Sequence, residues 1–147
     1  MIAYSFEERR PLAYSPNQVA IMDINGNNKR IISKNLDGDA DNLQWSDDNR
    51  SIFFSYDERG IRKIGQLMLN GEIKNIANDL GGTTLGRPYL SGSYHHSAKN
   101  IAFTYGGGNR PSDVAVLMNG KVNVLTELNN DLLDQLKLGD INELVYN

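Results

Sequence analysis

The sequence contains no cysteine, and this absence removes several kinds of chemistry at once. A chain without thiols forms no disulfide bond, no thiolate metal site and no cysteine nucleophile. No apolar run approaches the roughly 18 residues that a membrane-spanning helix needs. The net charge is −3 and the isoelectric point about 5.3, whereas nucleic acid and acidic membrane surfaces attract basic patches. We therefore expect neither nucleic acid nor a membrane as a partner.

The first ten residues also lack the features of a secretory signal peptide. Met1 to Arg10 has no basic start followed by an apolar core. We expect a soluble protein, and the sequence leaves its compartment open between the cytoplasm and the periplasm. The length predicts a single domain.

Signatures of catalysis are absent as well. No Gly-x-Ser-x-Gly nucleophile elbow occurs, and the only histidines are His95 and His96. A Ser-His-Asp triad needs a base that is oriented by a carboxylate and aimed at an exposed serine. Neighbours on an extended chain point to opposite faces, so the two histidines make a poor metal pair. We predict no catalytic, cofactor-binding or metal-binding residue, and a surface or packing role for both histidines.

One acidic segment partly resembles a calcium loop. Asp37, Asp39 and Asp41 alternate as in the opening of such a loop. The pattern then fails, because Asn42 stands where the sharp-turn glycine belongs and Asp48 where a bidentate glutamate belongs. The alternative interpretation is a turn between repeats, built from residues that favour turns, and we prefer it.

A glycine-rich segment from Gly81 to Gly86 is the other partial match to a ligand site. A phosphate-binding P-loop requires Gly-Lys-Ser/Thr, which is missing here. We expect these glycines to permit close backbone approach. Arg87 follows them and could pair with a buried carboxylate or with the carboxylate of a ligand; structural pairing is the preferred interpretation.

A threefold repeat dominates the sequence. Three apolar runs begin at Ile2, Ile52 and Ile101, about 50 residues apart, and each is followed by a second apolar run, an Asn-Gly pair and a third run. The pairs are Asn25-Gly26, Asn70-Gly71 and Asn119-Gly120. Asn-Gly favours a two-residue type I′ hairpin, since both residues tolerate positive φ. Equal steps of several strands are typical of propeller blades.

The predicted fold is therefore all-β, a partial β-propeller of about three four-stranded antiparallel blades. The blades are assigned to residues 1–36, 43–80 and 90–128 within a propeller segment that covers 1–128. Ile52 to Phe54 reads as an inner strand buried on both faces, and Trp45 is expected to pack where two blades meet.

The C-terminal residues 129–147 change period. Leu128, Leu132, Leu133 and Leu136 recur at helical spacing. Asn129 or Asn130 is the expected N-cap and Gly139 the expected end of a short linker helix. Ile141 to Tyr146 then reads as a strand.

Several longer segments resemble the propeller domain of the prolyl oligopeptidase family of serine peptidases. The similarity is to the acylaminoacyl-peptidase or dipeptidyl-peptidase-like branch, and it covers essentially the whole chain. The segments are Arg-Pro-Leu-Ala-Tyr-Ser-Pro-Asn-Gln at 10–18, Trp-Ser-Asp-Asp at 45–48, Gly-Arg-Pro-Tyr-Leu-Ser-Gly-Ser at 86–93, Asn-Arg-Pro-Ser-Asp-Val-Ala-Val at 109–116 and Leu-Thr-Glu-Leu-Asn-Asn-Asp-Leu-Leu at 125–133.

The resemblance implies that an α/β-hydrolase domain follows in the parent protein and carries the catalytic serine, aspartate and histidine. In that family the propeller covers the active site and admits short peptides. We therefore expect a non-catalytic fragment whose partners are further blades, the hydrolase domain and the parent's peptide substrate. A stand-alone propeller module that binds a protein or peptide is the alternative. A third hypothesis is an independent enzyme that uses Arg87, His95 or the acidic segment.

Overall fold

The computed structural model describes residues 1–7, 14–82 and 91–145. In this part of the chain the fold is all-β, as predicted, and its strands form three antiparallel sheets. Sheet A contains β1 (Ile2–Glu7), β2 (Asn17–Met22) and β3 (Arg30–Ile31). Sheet B contains β4 (Asp41–Trp45), β5 (Ser51–Glu58), β6 (Ile61–Met68) and β7 (Ile73–Ala77). Sheet C contains β8 (Tyr94–Ser97), β9 (Asn100–Gly107), β10 (Arg110–Met118) and β11 (Lys121–Val124).

Each sheet is a meander in which strands that follow one another in sequence are neighbours in space. Sheets B and C have the predicted four strands, but sheet A has three in the described residues, so four strands per sheet is wrong there. The physical reason is positional. β1 occupies the place in the strand order that β5 and β9 hold, and the described residues contain no equivalent of β4 or β8 beside it.

The predicted two-residue turn forms at one of the three Asn-Gly pairs. Asn119 and Gly120 have φ of +53° and +74° and join the paired residues Met118 and Lys121, so they form the expected two-residue turn.

At the other two pairs only the glycine, Gly26 or Gly71, has positive φ (+79° and +95°). There the N–H of the glycine donates across three residues to the oxygen of Asp23 or Met68, at 2.9 Å in both cases. These loops therefore contain three residues, and a glycine in the left-handed conformation ends each of them.

This difference predicts unequal tolerance of alanine. Asn119→Ala is expected to lower the free energy of unfolding by about 1 kcal/mol, because alanine resists positive φ. The matched variant Asn25→Ala should leave it nearly unchanged, since Asn25 has negative φ. Urea titration of both variants measures the difference. Equal losses would show that the left-handed conformation of Asn119 is not what its turn requires.

The chain divides into two structural units. Unit 1 comprises residues 1–58 and 63–78, and unit 2 comprises residues 59–62 and 79–147. In unit 1, the alternation of side chains along strands places Ile52, Phe54 and Tyr56 on one face of β5. They join residues from sheet A in a single apolar cluster. Its buried members are Val19, Ile21, Ile32, Ala40, Ile52, Phe54, Tyr56 and Leu67.

Trp45 packs against this cluster, as expected for a ring between successive sheets. β5 is an inner strand as predicted, but the predicted burial on both faces is complete on one face only. Ile52 and Phe54 are fully buried, and Phe53 on the opposite face is half-buried.

In unit 2, burial alternates along the strands of sheet C. Ile101, Phe103 and Ala115 are buried together with Tyr94, whose pKa is raised because its hydroxyl is removed from solvent. Asp113 is buried in the same sheet, although its side chain is a carboxylate and not apolar or aromatic.

The C-terminal segment differs from its prediction. The helix α1 spans only Asn130–Leu133, and the side chain of its N-cap, Asn129, makes no capping bond. No residue of α1 is fully buried, so tertiary packing gives little support to a longer helix. No helix in the described ranges is long and apolar enough to cross a membrane.

The predicted strand from Ile141 to Tyr146 is wrong over 141–145, and Tyr146 lies outside the described residues. A strand requires a neighbouring edge to pair with, and residues 141–145 pair with no described strand. Leu144 and Val145 are more than four-fifths exposed.

Candidate functional site

Unit 2 contains a cavity of about 310 Å³ beside the turn that joins β9 to β10. Its lining combines a carboxylate, a phenol, a guanidinium, an amide, backbone and one aliphatic side chain. The lining residues are Asp79, Tyr105, Gly106, Gly107, Gly108, Asn109, Arg110 and Ile141. They come from three separate stretches of the chain, so the cavity exists only in the folded unit.

Backbone bonds to β9 position Asp79. The N–H of Gly106 donates to the oxygen of Asp79 at 3.0 Å, and Leu80 pairs in antiparallel fashion with Tyr105. The N–H of Gly81 then donates to the oxygen of Thr104 at 2.8 Å. This short segment thus runs along β9 beyond the residues that pair with β8. Asp79 has a φ of +59°, a conformation that is uncommon outside glycine.

Gly81 permits this close approach, as the sequence predicted. A Cβ atom at Gly81 would lie 2.5 Å from the backbone nitrogen of Gly106, far inside van der Waals contact. The hydroxyl of Thr104 adds a second link by donating to the oxygen of Gly81 at 2.7 Å. The glycine is therefore required by packing, and Asp79 is held beside the β9–β10 turn.

On the other side of the turn, Arg110 is held by an irregularity in the pairing of β10 with β9. The register shifts between Arg110 and Asp113, which brings their side chains together. Nε of Arg110 donates to Oδ2 of Asp113 at 2.8 Å. Nη2 of Arg110 donates to Oδ1 of Asn130 in α1. The guanidinium thus ties the cavity to the C-terminal segment.

Asp113 is the centre of this network. Its side chain is fully buried, and its Oδ1 accepts bonds from Oγ1 of Thr126 and from the backbone N–H of Leu128, both at 2.9 Å. The Leu128 N–H and the Arg110 guanidinium hold the pKa of the Asp113 carboxyl below its ordinary value. The network joins two of the family-like segments, 109–116 and 125–133, which the sequence alone did not connect.

The C-terminal segment supplies the remaining wall. Nδ2 of Asn109 donates to the oxygen of Gly139 at 3.2 Å. Ile141 lies against Gly108, where a Cβ atom would overlap its Cδ1 atom. An exposed ion pair between Arg59 and Glu143, 3.9 Å apart, adds little stabilisation.

The described lining contains no serine, threonine, cysteine or histidine, and its carboxylate and phenol come from Asp79 and Tyr105. Among the described residues, the Asp79 carboxylate takes part in no hydrogen bond or ion pair. The site therefore offers one available carboxylate beside an aromatic ring.

The two histidines lie outside the cavity, and their side chains point to opposite faces of β8, as predicted. Within β8 the side chain of His95 is exposed and that of His96 is buried. Neither lines the cavity. Across the described ranges, no group of three or more His, Cys, Asp or Glu residues is placed to hold a metal ion.

The acidic segment is irregular before β4, and Gly38 within it has a φ of +130°. Oδ1 of Asp39 accepts the backbone N–H of Asn17 at 2.6 Å, and its Oδ2 accepts the hydroxyl of Tyr14 at 3.0 Å. Partial burial and this bond to Asp39 raise the pKa of Tyr14. Asp41 lies in β4, and Asn42 has a φ of +53°. The segment lies between β3 and β4, but the hydrogen-bonded turn precedes it, where the N–H of Leu36 donates to the oxygen of Ser33 at 2.9 Å, so a turn at the acidic residues themselves is not confirmed. Arg87, the other sequence candidate, lies outside the described residues.

Asp79, Tyr105 and Arg110 were not identified as site residues from the sequence. The only local signal is the glycine triplet 106–108 followed by Asn109 and Arg110, a composition typical of a turn. Comparison of the chain with family models and with curated proteins gives no match. The sequence and the structure together describe an all-β protein of repeated antiparallel sheets with a small cavity in unit 2.

Proposed function

We propose that the chain is a non-catalytic β-propeller segment of a serine peptidase of the prolyl oligopeptidase type. In this proposal the sheets are blades, and the complete propeller admits short peptides to an α/β-hydrolase domain. The observation that carries the proposal is the repetition of one strand order. Sheets B and C are both four-stranded meanders, and sheet A repeats their last three positions. Repeated four-stranded antiparallel sheets are the units of propellers.

Packing within unit 1 supports the same proposal. Sheets A and B follow one another in the chain and share one apolar cluster, in which Ile21 of β2 and Phe54 of β5 take part. In a propeller each blade buries its face against the next blade. The shared cluster is the arrangement that two successive blades need.

The segments that resemble the peptidase family add further support. Asp113 lies in one of them, and two of its bonding partners, Thr126 and Leu128, lie in another. A network that joins both segments gives a physical reason for finding them together in one sequence. The absence of a Gly-x-Ser-x-Gly elbow from these residues fits a segment that gates access to catalysis performed elsewhere.

Labelling of the protein expressed with its flanking coding sequence tests this function. A fluorophosphonate, which reacts with activated serines, is expected to label one serine in a Gly-x-Ser-x-Gly motif outside residues 1–147. The same protein should hydrolyse short peptide amides and leave folded proteins intact. The control is the variant in which the labelled serine is replaced by alanine. A label on a serine within residues 1–147, or no adjoining hydrolase domain, would contradict the proposal.

A stand-alone module that binds a protein or peptide is the second candidate, favoured by the apolar side chains that the C-terminal segment exposes. Leu128 and Ile141 are each about two-thirds exposed, and Leu144 is 85% exposed. Exposed apolar surface of this kind is typical of regions that a partner covers. Absence of any labelled serine, together with a coding sequence that encodes no hydrolase domain, would favour this candidate.

A further inference from the structure

We infer that the cavity of unit 2 binds a small organic ammonium ion, with its charged nitrogen at the carboxylate of Asp79 and its apolar body against Tyr105 and Ile141. This site requires neither a complete propeller nor a hydrolase domain, so it stands apart from the proposed function. All of its lining residues belong to one structural unit.

The distribution of charge selects a cation. The positive charge of Arg110 is compensated by the buried Asp113, and Glu127 and Asp134 add negative potential around it. An anion entering the cavity would have to compete with Asp113 for the guanidinium. A cation instead meets the carboxylate of Asp79, which has no bonding partner in the described residues. Charge-assisted bonds to a carboxylate are among the strong ones.

The walls select an organic cation over a metal ion. Calcium and magnesium require several oxygen ligands, and Asp79 is the only carboxylate among the described residues that line the cavity. Tyr105 is half-buried, with its ring 6.1 Å from the ring of Phe103, and Ile141 presents an aliphatic side chain. An ammonium group is attracted to an aromatic face. The volume of about 310 Å³ lies at the lower end of the range for ligand cavities, which suits a small molecule.

The site is also preorganised by bonds that do not involve a ligand. The backbone of Asp79 is bonded to Gly106, and Asn109 is bonded to Gly139 two residues before Ile141. Backbone that is already held at Asp79 and near Ile141 loses little conformational freedom on binding.

Titration of the isotopically labelled chain with benzylammonium, followed by nuclear magnetic resonance, tests the inference. The amides of Gly106, Gly107 and Gly108 are expected to shift, since these residues line the cavity. Asp79→Asn should weaken binding about tenfold by removing the charge. Asparagine tolerates the φ of +59° at this position, so the variant should retain the fold.

Two matched comparisons show whether the affinity depends on the charge of Asp79 and on the charge of the ligand. Asp140→Asn removes an exposed carboxylate that does not line the cavity, and it should leave the affinity unchanged. Benzyl alcohol has nearly the same shape as benzylammonium without its charge, and it should bind about tenfold more weakly to the unaltered chain.

Ile141→Ala tests the apolar wall independently of Asp79. Its affinity for benzylammonium should fall about threefold through loss of apolar contact. The inference is overturned if benzylammonium shifts none of the three glycine amides, if Asp79→Asn or Ile141→Ala binds it as tightly as the unaltered chain, or if acetate shifts the same amides in its place.

Discussion

Replacing Phe54 by alanine is expected to remove about 3–5 kcal/mol of the free energy of unfolding. The ring of Phe54 is fully buried in the cluster of unit 1 and stacks on Tyr56, with centroids 5.2 Å apart and planes inclined by 28°. Alanine would leave a cavity between sheets A and B that rigid strands fill only in part. Urea titration followed by tryptophan fluorescence measures the loss. Trp45 is the only tryptophan and packs against the same cluster.

Phe53 provides the matched control. It is the preceding residue of β5 and carries the same side chain, but it points to the opposite face and is only half-buried. Phe53→Ala should therefore cost less than half as much as Phe54→Ala. Equal costs for the two variants would show that the cluster of Phe54 is not the principal core of unit 1.

Residues such as Ile52 and Phe54 show what the sequence could predict. Alternation along a strand and the spacing of three apolar runs depend on neighbours within a few residues. For the same reason a two-residue turn could be predicted at Asn119-Gly120. The strands β4 and β8 were harder to locate, because polar residues such as Gln44 and His95 interrupt their apolar pattern.

The cavity could not be predicted because its residues meet only through tertiary pairing. Asp79 is brought to the β9–β10 turn by the pairing of Leu80 with Tyr105 and by the bond from Gly106 to Asp79, which join residues 25 and 27 positions apart. Gly65 gives a similar example in unit 1. It looks like an ordinary strand residue, yet a Cβ atom there would come within 2.6 Å of the Phe54 ring. Such requirements depend on which side chain lies opposite, and local propensity does not report that.

The C-terminal segment shows the limit of periodicity. The leucines from Leu128 to Leu136 have helical spacing, but spacing says only which side chains share a face. Whether a helix forms depends on what covers that face. In the described residues Leu132 is 59% exposed, and the helix stops after one turn.

Replacing Asp113 by alanine is expected to lower the melting temperature of the chain by roughly 5 to 10 °C. The variant removes the acceptor for Arg110, Thr126 and the backbone N–H of Leu128, and it leaves a guanidinium without its counterion. Donors left unsatisfied in a buried place cost more than the bond itself contributes. Thermal unfolding followed by circular dichroism measures the change. Asp140→Ala, which removes an exposed carboxylate, should melt like the unaltered chain.

The pH dependence of the free energy of unfolding shows how much of the contribution of Asp113 comes from the charge of its carboxylate. Because the carboxyl has a lowered pKa in the folded state, the unfolded state takes up its proton first, near the ordinary value of 3.8. The stabilisation is therefore complete well above this pH, and it disappears as the pH falls through the lowered pKa. Urea titrations should show Asp113→Asn less stable than the unaltered chain above about pH 5, with a difference that narrows steadily in more acidic solution. A difference that stays constant down to about pH 2 would mean that the bonds of Asp113 stabilise the fold without its ionisation, and that the network acts through shape alone.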